Sequence, residues 1–273
     1  MEIRKVAILG GGNIGVSIAK GLLKTNIVPP SDIHVTRRRV QMIEHLKELD
    51  LTIGSDNIAA VKDADIIFMT VKPAQAPDLM KEIKDHLDPA RQILISIVTG
   101  LSSKEIHQNL SEDLTVFLAM PNTAISLGES MTCLAPVNAD PKQEEAVMEF
   151  LNTMGKTILI TEDLIGASTV LAACGIAFAL RFLRAISQGG IEIGFGSELS
   201  TLIAAQTLKG ASELILQSGH HPEREIDKVT TPQGITISGL NEMEHNGFSS
   251  ALIKGLLASF NKIDKLKEKS GRK

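Results

Sequence analysis

The chain has few cysteines, and their positions exclude two classes of protein. Its 273 residues contain only Cys133 and Cys174. Both lie in apolar stretches, and neither belongs to a Cys-x-x-Cys pair or to a mixed cysteine and histidine spacing. We therefore expect neither a disulfide scaffold nor a structural zinc site. The two thiols are interpreted as small buried hydrophobic groups.

An excess of positive charge is also missing. The formal net charge is -4, and no long basic run occurs before the lysine-rich end of the chain. Proteins that bind nucleic acid carry clustered basic residues that follow the phosphate backbone. We therefore expect no nucleic-acid partner, and we interpret the lysine-rich end as a solvated helix end.

No apolar export segment precedes the first predicted strand, Val6 to Leu9, which indicates a cytoplasmic protein. One uncharged stretch, Leu164 to Leu180, approaches the lower length limit of a membrane-spanning helix. However, it contains Gly166 and Gly175 and is followed by Arg181. A helix that is apolar on all sides is usually buried in a soluble chain. We expect this one inside its domain or against a second subunit, not in a membrane.

The start of the chain has the pattern of a dinucleotide-binding turn: an apolar strand, three spaced glycines and a helical segment. Gly10 permits the sharp turn, Gly12 lets a pyrophosphate approach bare backbone, and Gly15 lets the helix pack close to the strand. The free N–H groups at the helix start face the phosphates. The alternative is an ordinary glycine turn, but the strand-turn-helix context favours nucleotide binding. The predicted cofactor contacts here are Gly10, Gly12, Asn13, Ile14 and Gly15.

The end of the second predicted strand indicates which nicotinamide cofactor is used. A carboxylate at this place selects NAD, because it accepts from the ribose 2′-hydroxyl. Here Thr36 is followed by Arg37, Arg38 and Arg39. A guanidinium group binds a 2′-phosphate with charge-assisted hydrogen bonds, so the sequence favours NADP(H). Arg37 and Arg38 are the stronger candidates, since Arg39 is expected to point along the next helix; a solvated basic loop is the alternative.

Two later strand ends are predicted to add cofactor contacts. The strand Ala64 to Val71 ends at Lys72 and Pro73, and proline holds Lys72 extended at the carboxyl edge of the sheet. Lys72 then lies near the ribose or nicotinamide, or it is an exposed loop lysine; the pattern leaves both open. The predicted contacts are Val71, Lys72, Pro73, Met120 and Asn122.

The order of elements predicts an α/β protein. Apolar strands alternate with helices over residues 1–161, which predicts a Rossmann-type parallel sheet covered on both faces. Residues 162–273 show helical patterns only, and the long apolar helix at their start needs a second subunit to cover it. We therefore expect an NADP-binding domain over 1–161 and an all-α dimerisation and substrate domain over 162–273.

Hydroxyl groups cluster in the segment Val229 to Ile237, at the start of a predicted helix. Such a start offers unpaired N–H groups and a positive dipole end, which suit a small carboxylate. The alternative is an ordinary helix start capped by Thr231 ahead of Pro232. The local pattern does not decide between them. The neighbouring His220 and His221 have no carboxylate pattern that completes a metal site, so we expect them to cap a turn and expect no metal.

The motifs taken together resemble those of the pyrroline-5-carboxylate reductase family, which catalyses the last step of proline synthesis. The likeness runs nearly from end to end, and the last segment is specific to that family among nucleotide-binding reductases. The matching segments are Gly10 to Gly15, Thr70 to Pro73, Ser96 to Ile97, Gly100 to Ser102, Met120 to Thr123, Ala204 to Thr207, Gly210 to Ala211, His221 to Pro222 and Val229 to Gly239.

The resemblance implies NADPH on a Rossmann domain, a helical domain that interlocks two subunits, and a cyclic imino acid held at the junction. By position, Thr236 corresponds to the threonine that hydrogen-bonds the ring nitrogen, and it is the expected catalytic residue. Thr231, Gln233 and Gly234 correspond to the loop that holds the carboxylate. The implied reaction is the NADPH-dependent reduction of 1-pyrroline-5-carboxylate to L-proline.

Departures from the family pattern keep other functions open. Leu118 stands in place of an arginine, and Ala173 to Phe178 replaces a Gly-Ser-Gly-Pro-Ala-Tyr run. Thr231, Gln233 and Ile235 replace smaller residues and make the predicted pocket bulkier and less polar. The alternatives are reduction of a different cyclic imino acid, a β-hydroxy-acid dehydrogenase and a non-catalytic NADP-binding protein. The dehydrogenase is disfavoured, because related enzymes use a lysine base on the long helix and residues 163–192 contain neither lysine nor histidine.

Overall fold

The computed structural model describes residues 3–269, with side chains described up to residue 263. Eight strands form one sheet in the order β3-β2-β1-β4-β5-β6-β7-β8. The strands are β1 Val6–Leu9, β2 Ile33–Thr36, β3 Thr52–Gly54, β4 Ile66–Met69, β5 Ile93–Ser96, β6 Thr115–Met120, β7 Ser130–Val137 and β8 Gly155–Leu159. The helices between these strands and directly after the last of them are α1 Asn13–Thr25, α2 Asn57–Lys62, α3 Ala76–Ile83, α4 Ser103–Asn109, α5 Pro141–Asn152 and α6 Ile165–Ser168.

Every residue of the central strands β1, β4, β5 and β6 is buried, and all of them are apolar except Ser96 and Thr115. Successive side chains of a strand point to opposite faces of a sheet. Accordingly, Val6 and Ile8 belong to one hydrophobic core, whereas Ala7 and Leu9 belong to a second core on the other face. The predicted sheet covered on both faces is confirmed, and the helices that flank it supply the cover.

One pair of strands departs from the predicted parallel arrangement. Strands β6 and β7 are antiparallel, and the other neighbours in the sheet are parallel. Only residues 121–129 connect β6 to β7. A parallel crossover needs roughly a dozen residues or more. The short connection therefore forces the chain to turn back along β6.

The described residues divide into two compact units. One comprises residues 3–174 together with residues 260–269, and the other spans Gly175–Ser259. Within the described residues, no strand follows β8, as the sequence predicts for the helical part. The boundary at residue 161 stays a prediction, since the first compact unit continues through the short helix α6. The remaining helices are α7 Gly175–Glu192, α8 Ser197–Ser218, α9 Pro222–Val229, α10 Ile235–His245 and α11 Phe248–Lys269.

Small residues join α7 and α8 in the second unit. The hydroxyl of Ser200 donates to the carbonyl of Ser187 at 2.7 Å, and the Ser187 hydroxyl lies 2.9 Å from that of Thr201. A Cβ atom at Gly190 would overlap the Ser200 hydroxyl. The two helices therefore approach so closely that their contact excludes larger side chains. Phe182 and Phe248 make an aromatic contact elsewhere in this unit, with ring centroids 5.6 Å apart.

The helical stretch Glu162–Glu192 leaves much of its apolar surface uncovered. Among the residues that the structure describes, it is the one helix long and apolar enough to cross a membrane, and 28% of its most apolar window is buried in the single chain. Leu171 is 73% exposed and Leu180 59% exposed. The helical stretch includes a π-helical turn over Thr169–Cys174. Large apolar side chains exposed in this number are typical of an interaction surface.

Gly21 provides a test of the packing of α1. A Cβ atom at this position would overlap the carbonyl oxygen of Ile125, in the turn Thr123–Leu127 that packs on the helix. Since a backbone atom cannot move aside cheaply, we expect Gly21→Ala to lower the free energy of unfolding by about 1–3 kcal/mol. The measurement is denaturant unfolding of the purified protein. The exposed neighbour Lys20 gives the control, and Lys20→Ala should change stability by less than about 0.5 kcal/mol. Equal stability of the two variants would contradict the predicted overlap.

Candidate functional site

The glycine turn lies at the point where the strand order reverses. Strands β2 and β3 lie on one side of β1, and β4, β5 and β6 lie on the other. The loops that follow β1 and β4 therefore diverge from a common edge. Open α/β sheets bind ligands in the crevice that forms outside the carboxyl ends of such strands.

The three glycines of the turn have different environments. Gly10 adopts a φ of +113°, in the region that favours glycine. A Cβ atom at Gly15 would overlap the carbonyl oxygen of Gly10, so the helix approaches the strand only because this residue has no side chain. A Cβ atom at Gly12 would meet nothing within 4 Å. The backbone at Gly12 is thus open to a ligand.

The start of α1 offers hydrogen-bond donors to that opening. Gly12 is the N-cap residue, and the helix has no side-chain cap. The carbonyl of Gly12 accepts the first hydrogen bond of the helix, from the N–H of Val16 at 2.9 Å. The preceding N–H groups, including those of Asn13 and Ile14, have no partner inside the helix. A diphosphate fits this donor set, because the positive end of the helix dipole lies at the same place.

A cavity of about 630 Å³ extends from this turn along the edge of the sheet. Of the predicted cofactor residues, seven line it and six do not. Those that line it are Gly10, Gly12, Thr36, Arg37, Arg38, Val71 and Lys72. Those that do not are Asn13, Ile14, Gly15, Pro73, Met120 and Asn122. The volume lies in the range of ligand and cofactor sites.

The arginines after β2 lie at this cavity. The guanidinium group of Arg37 donates to the carbonyl oxygen of Gly11 at 2.5 Å and lies 3.0 Å from the sulfur of Met42. Arg37 is half-buried, whereas Arg38 is exposed. Arg39, which the sequence directs along the next helix, also lines the cavity. Three guanidinium groups and no aspartate or glutamate directly after β2 give a site suited to a phosphate group.

Several lining residues escaped the sequence analysis. Most of them lie at the start of α2, or on α3 and directly before it, and the short strand β3 brings the start of α2 beside β2. Thr36 donates its hydroxyl hydrogen to the side-chain oxygen of Asn57 at 2.6 Å. The only local signal for Asn57 is its place directly after Asp56, which caps α2. The residues missed are Gly11, Met42, Ser55, Asn57, Thr70, Gln75, Asp78, Leu79 and Glu82.

Two predicted cofactor residues at the end of β6 make contacts within the protein. Met120 is buried, with 3% of its surface exposed. The side-chain oxygen of Asn122 accepts from the N–H of Ala124 at 3.0 Å, and its nitrogen donates to the carbonyl of Ala172 at 3.3 Å. The role of both residues in cofactor binding stays a prediction.

The segment predicted to bind the substrate forms a turn ahead of α10. The N–H of Gly234 donates to the carbonyl of Thr231 at 2.9 Å, and Gln233 has a φ of +59°. Gly234 is the N-cap residue of α10, and no side chain caps the helix. The interpretation of Thr231 as the cap is therefore wrong, because the turn separates it from the helix. Thr236 lies in the first helical turn, and Thr231 and Thr236 are both exposed.

The two histidines have separate structural roles. His221 caps α9, and its ring nitrogen accepts from the N–H of Glu223 at 3.3 Å, as predicted. His220 lies 2.8 Å from Glu225, whose carboxylate also pairs with Lys228 at 2.7 Å. Hydrogen bonds from Lys228 and then from His220 lower the pKa of Glu225. Among the side chains of residues 3–263, no cluster of histidine, cysteine or carboxylate groups could hold a metal ion.

The two thiols differ in their burial. Cys133 is buried and Cys174 is partly buried. Burial raises the pKa of the Cys133 thiol, and this effect exceeds the opposing hydrogen bond with Ser168. Cys133 is thus a buried group, as the sequence predicts, whereas the expectation that Cys174 is buried is not met in the single chain.

Two family matches cover different parts of the chain. The family described as pyrroline-5-carboxylate reductase dimerisation matches residues 162–266. The family described as NADP oxidoreductase, coenzyme F420-dependent, matches residues 5–100. A crystal structure of Plasmodium falciparum pyrroline carboxylate reductase with NADP bound is similar, with a TM-score of 0.87 and 26% identity, over 96% of this chain and 98% of that one.

Two relatives from Dictyostelium discoideum are more similar in sequence. Pyrroline-5-carboxylate reductase 1 is 44% identical over 96% of this chain, which spans about half (49%) of the length of that relative. Pyrroline-5-carboxylate reductase 2 is 42% identical, and the match covers 96% of this chain and 93% of that protein. An identity this high over nearly the full length of both proteins shows common family membership. The chain therefore belongs to the pyrroline-5-carboxylate reductase family.

Proposed function

We infer that this chain is an NADPH-dependent oxidoreductase that reduces 1-pyrroline-5-carboxylate to L-proline. The observation that carries the inference is the match of 42% identity to a pyrroline-5-carboxylate reductase over nearly the whole of both chains. The cavity at the glycine turn supports it, since its arginines and open backbone suit a phosphorylated dinucleotide. We propose a cytoplasmic enzyme with an NADP-binding domain over 1–161 and a dimerisation and substrate domain over 162–273.

Different residues bind different parts of the cofactor in the proposed site. The N–H groups at the start of α1 bind the diphosphate, and Arg37 and Arg38 bind the 2′-phosphate. Lys72, held extended ahead of Pro73 with φ -68° and ψ 150°, adds a positive charge at the edge of β4. The bound cofactor supplies a hydride to the imine carbon.

The start of α10 supports a role in substrate binding. Its first N–H groups have no side-chain cap, so they are available to a carboxylate, together with the hydroxyl of Thr231. In the proposed site the Thr236 hydroxyl accepts from the ring nitrogen. A cyclic imine arrives partly protonated, so the protein needs to orient the ring and does not need a strong acid.

A second copy of the chain is the proposed macromolecular partner. The family match to the dimerisation region covers the helices that expose most of the large apolar side chains. Leu202 is 65% exposed and Leu216 66% exposed on α8 alone. Burial of such groups against a partner contributes about 25 cal/mol for each Å² of apolar surface removed from water. We propose a homodimer formed through these helices, with no nucleic-acid or membrane partner.

The first test is the reaction itself. We expect the purified protein to oxidise NADPH only when 1-pyrroline-5-carboxylate is present, and to form proline in equal amount. The measurement is NADPH absorbance together with product analysis, on five-membered and six-membered cyclic imino acids. Preference for a six-membered ring would replace the substrate assignment. Cofactor binding without turnover of any cyclic imine would indicate a non-catalytic NADP-binding protein.

A second test concerns the arginines. We expect the double variant Arg37→Ala/Arg38→Ala to raise KM for NADPH at least about tenfold while KM for NADH changes little, because a charge-assisted hydrogen bond contributes about 1.5–3 kcal/mol. Steady-state kinetics with both cofactors measures this. Lys47→Ala is the matched control, since Lys47 is an exposed cation of the following segment and pairs with Glu44. Equal use of both cofactors by the unaltered protein would contradict the assignment.

A third test concerns Thr236. Thr236→Val keeps the shape of the side chain and removes the hydroxyl, so we expect kcat/KM for the imine to fall about tenfold or more through loss of one hydrogen bond. The Kd of NADPH should not change. Ser238→Ala is the control on the same helix, because the Ser238 hydroxyl donates to the carbonyl of Gly234. If the two variants retain the same activity, Thr236 does not orient the substrate.

A further inference from the structure

We propose that Glu82 is a positioning residue, which fixes the side-chain amide of Asn57 at the edge of the cofactor cavity and thereby supports the preference for NADPH over NADH. Glu82 lies on α3, far in sequence from the glycine turn and from the arginines. Thr36, Asn57 and Glu82 line the same cavity. The proposal rests on the NADPH assignment made above.

The three side chains form a continuous hydrogen-bonded chain. Thr36 donates its hydroxyl hydrogen to the Asn57 oxygen at 2.6 Å, and the Asn57 nitrogen donates to the carboxylate of Glu82 at 3.0 Å. Thr36 is buried, with 1% of its surface exposed, Asn57 is half-buried, and Glu82 is exposed. The chain therefore connects the end of β2, where the ribose is expected, with α3.

The carboxylate decides which way the amide points. A hydroxyl can donate or accept, so Thr36 by itself would tolerate either orientation of Asn57. An ionised carboxylate only accepts, and it therefore requires the amide nitrogen on its side. In this orientation one N–H of Asn57 is bound to Glu82, and the second N–H remains to be donated to a ligand in the cavity.

That orientation favours a phosphate over a hydroxyl group. A 2′-phosphate offers oxygen acceptors, so it gains from an N–H donor beside the guanidinium groups of Arg37 and Arg38. If Glu82 is absent, the amide can rotate and turn its oxygen toward the cavity. The oxygen would repel a phosphate and would accept from the 2′-hydroxyl of NADH. Loss of the carboxylate acceptor should therefore reduce the preference for NADPH.

The negative charge of Glu82 is expected to weaken NADPH binding, whereas its positioning of Asn57 is expected to strengthen it. An experiment can therefore distinguish the two effects. A carboxylate near a 2′-phosphate repels it, although screening by water and salt weakens this effect at an exposed side chain. If Glu82 acted through its charge alone, its removal would strengthen NADPH binding. Asp78 lines the same cavity one helical turn earlier, and among the described residues its side chain has no hydrogen bond or ion pair, so it carries the charge without the positioning contact.

The experiment measures the Kd of NADPH and of NADH by fluorescence titration for the whole protein and three variants. We expect Glu82→Ala to lower the affinity ratio of NADPH to NADH about three- to tenfold. Glu82→Gln keeps an oxygen acceptor for Asn57, so its ratio should equal or exceed that of the unaltered protein. Asp78→Asn removes a charge only and should behave like Glu82→Gln. Because both side chains are exposed, the Tm of each variant should stay unchanged.

Two results would overturn the proposal. One is a higher ratio in Glu82→Ala, which would show that Glu82 acts through its charge alone, or an unchanged ratio, which would show that it has no role in the preference. The other is a loss in Glu82→Gln as large as in Glu82→Ala, since a glutamine oxygen can accept the same hydrogen bond. The titration needs no turnover, so an intact NADPH preference without imine reduction would remove the proposed reaction and leave this inference standing. Equal affinity of the unaltered protein for both cofactors would remove the NADPH preference and this inference together.

Discussion

The close approach of α1 to the end of β1 is the constraint on which the candidate site depends. No side chain fits at Gly15, because the carbonyl of Gly10 already occupies the space that a Cβ atom would take. The hydroxyl of Thr70, which follows β4, lies 2.7 Å from the same carbonyl oxygen and 3.0 Å from that of Leu9, so its single hydrogen is shared between the two acceptors. The turn is thus held from both sides. Its rigidity brings the unpaired N–H groups of the helix to the sheet edge without any side chain between them and a ligand.

The sheet order then determines which side chains meet at that edge. Because β1 lies between β2 and β4, the arginines after β2 and Lys72 after β4 face one cavity. The cavity also receives the carboxylates of Asp78 and Glu82 from α3. The site is therefore not uniformly positive. Its cations lie at the ends of strands, and the carboxylates of α3 are available to orient neutral groups such as the Asn57 amide.

The helical unit poses a different physical problem. Its helices pack closely where small residues meet, as at Gly190 and Ser200, but many of its large apolar side chains remain exposed in the single chain. A fold of this kind gains stability when a second copy covers those side chains. The family match to a dimerisation region agrees with this surface. The exposed start of α10, with its turn at Gln233, belongs to the same unit.

The sequence by itself determined the features that depend on neighbouring residues. The glycine turn, the buried strands, the arginines after Thr36 and the helices after residue 162 follow from local periodicity and local steric demands. The tertiary structure alone decided the features that depend on distant pairing. The antiparallel β7, the place of Asn57 and Glu82 in the cavity, and the hydrogen bond from Asn122 to Ala172 all join segments far apart in the chain or depend on the sheet order. Spacing along the chain does not contain this information, because contacts between distant segments are determined only when the strands pair in the sheet.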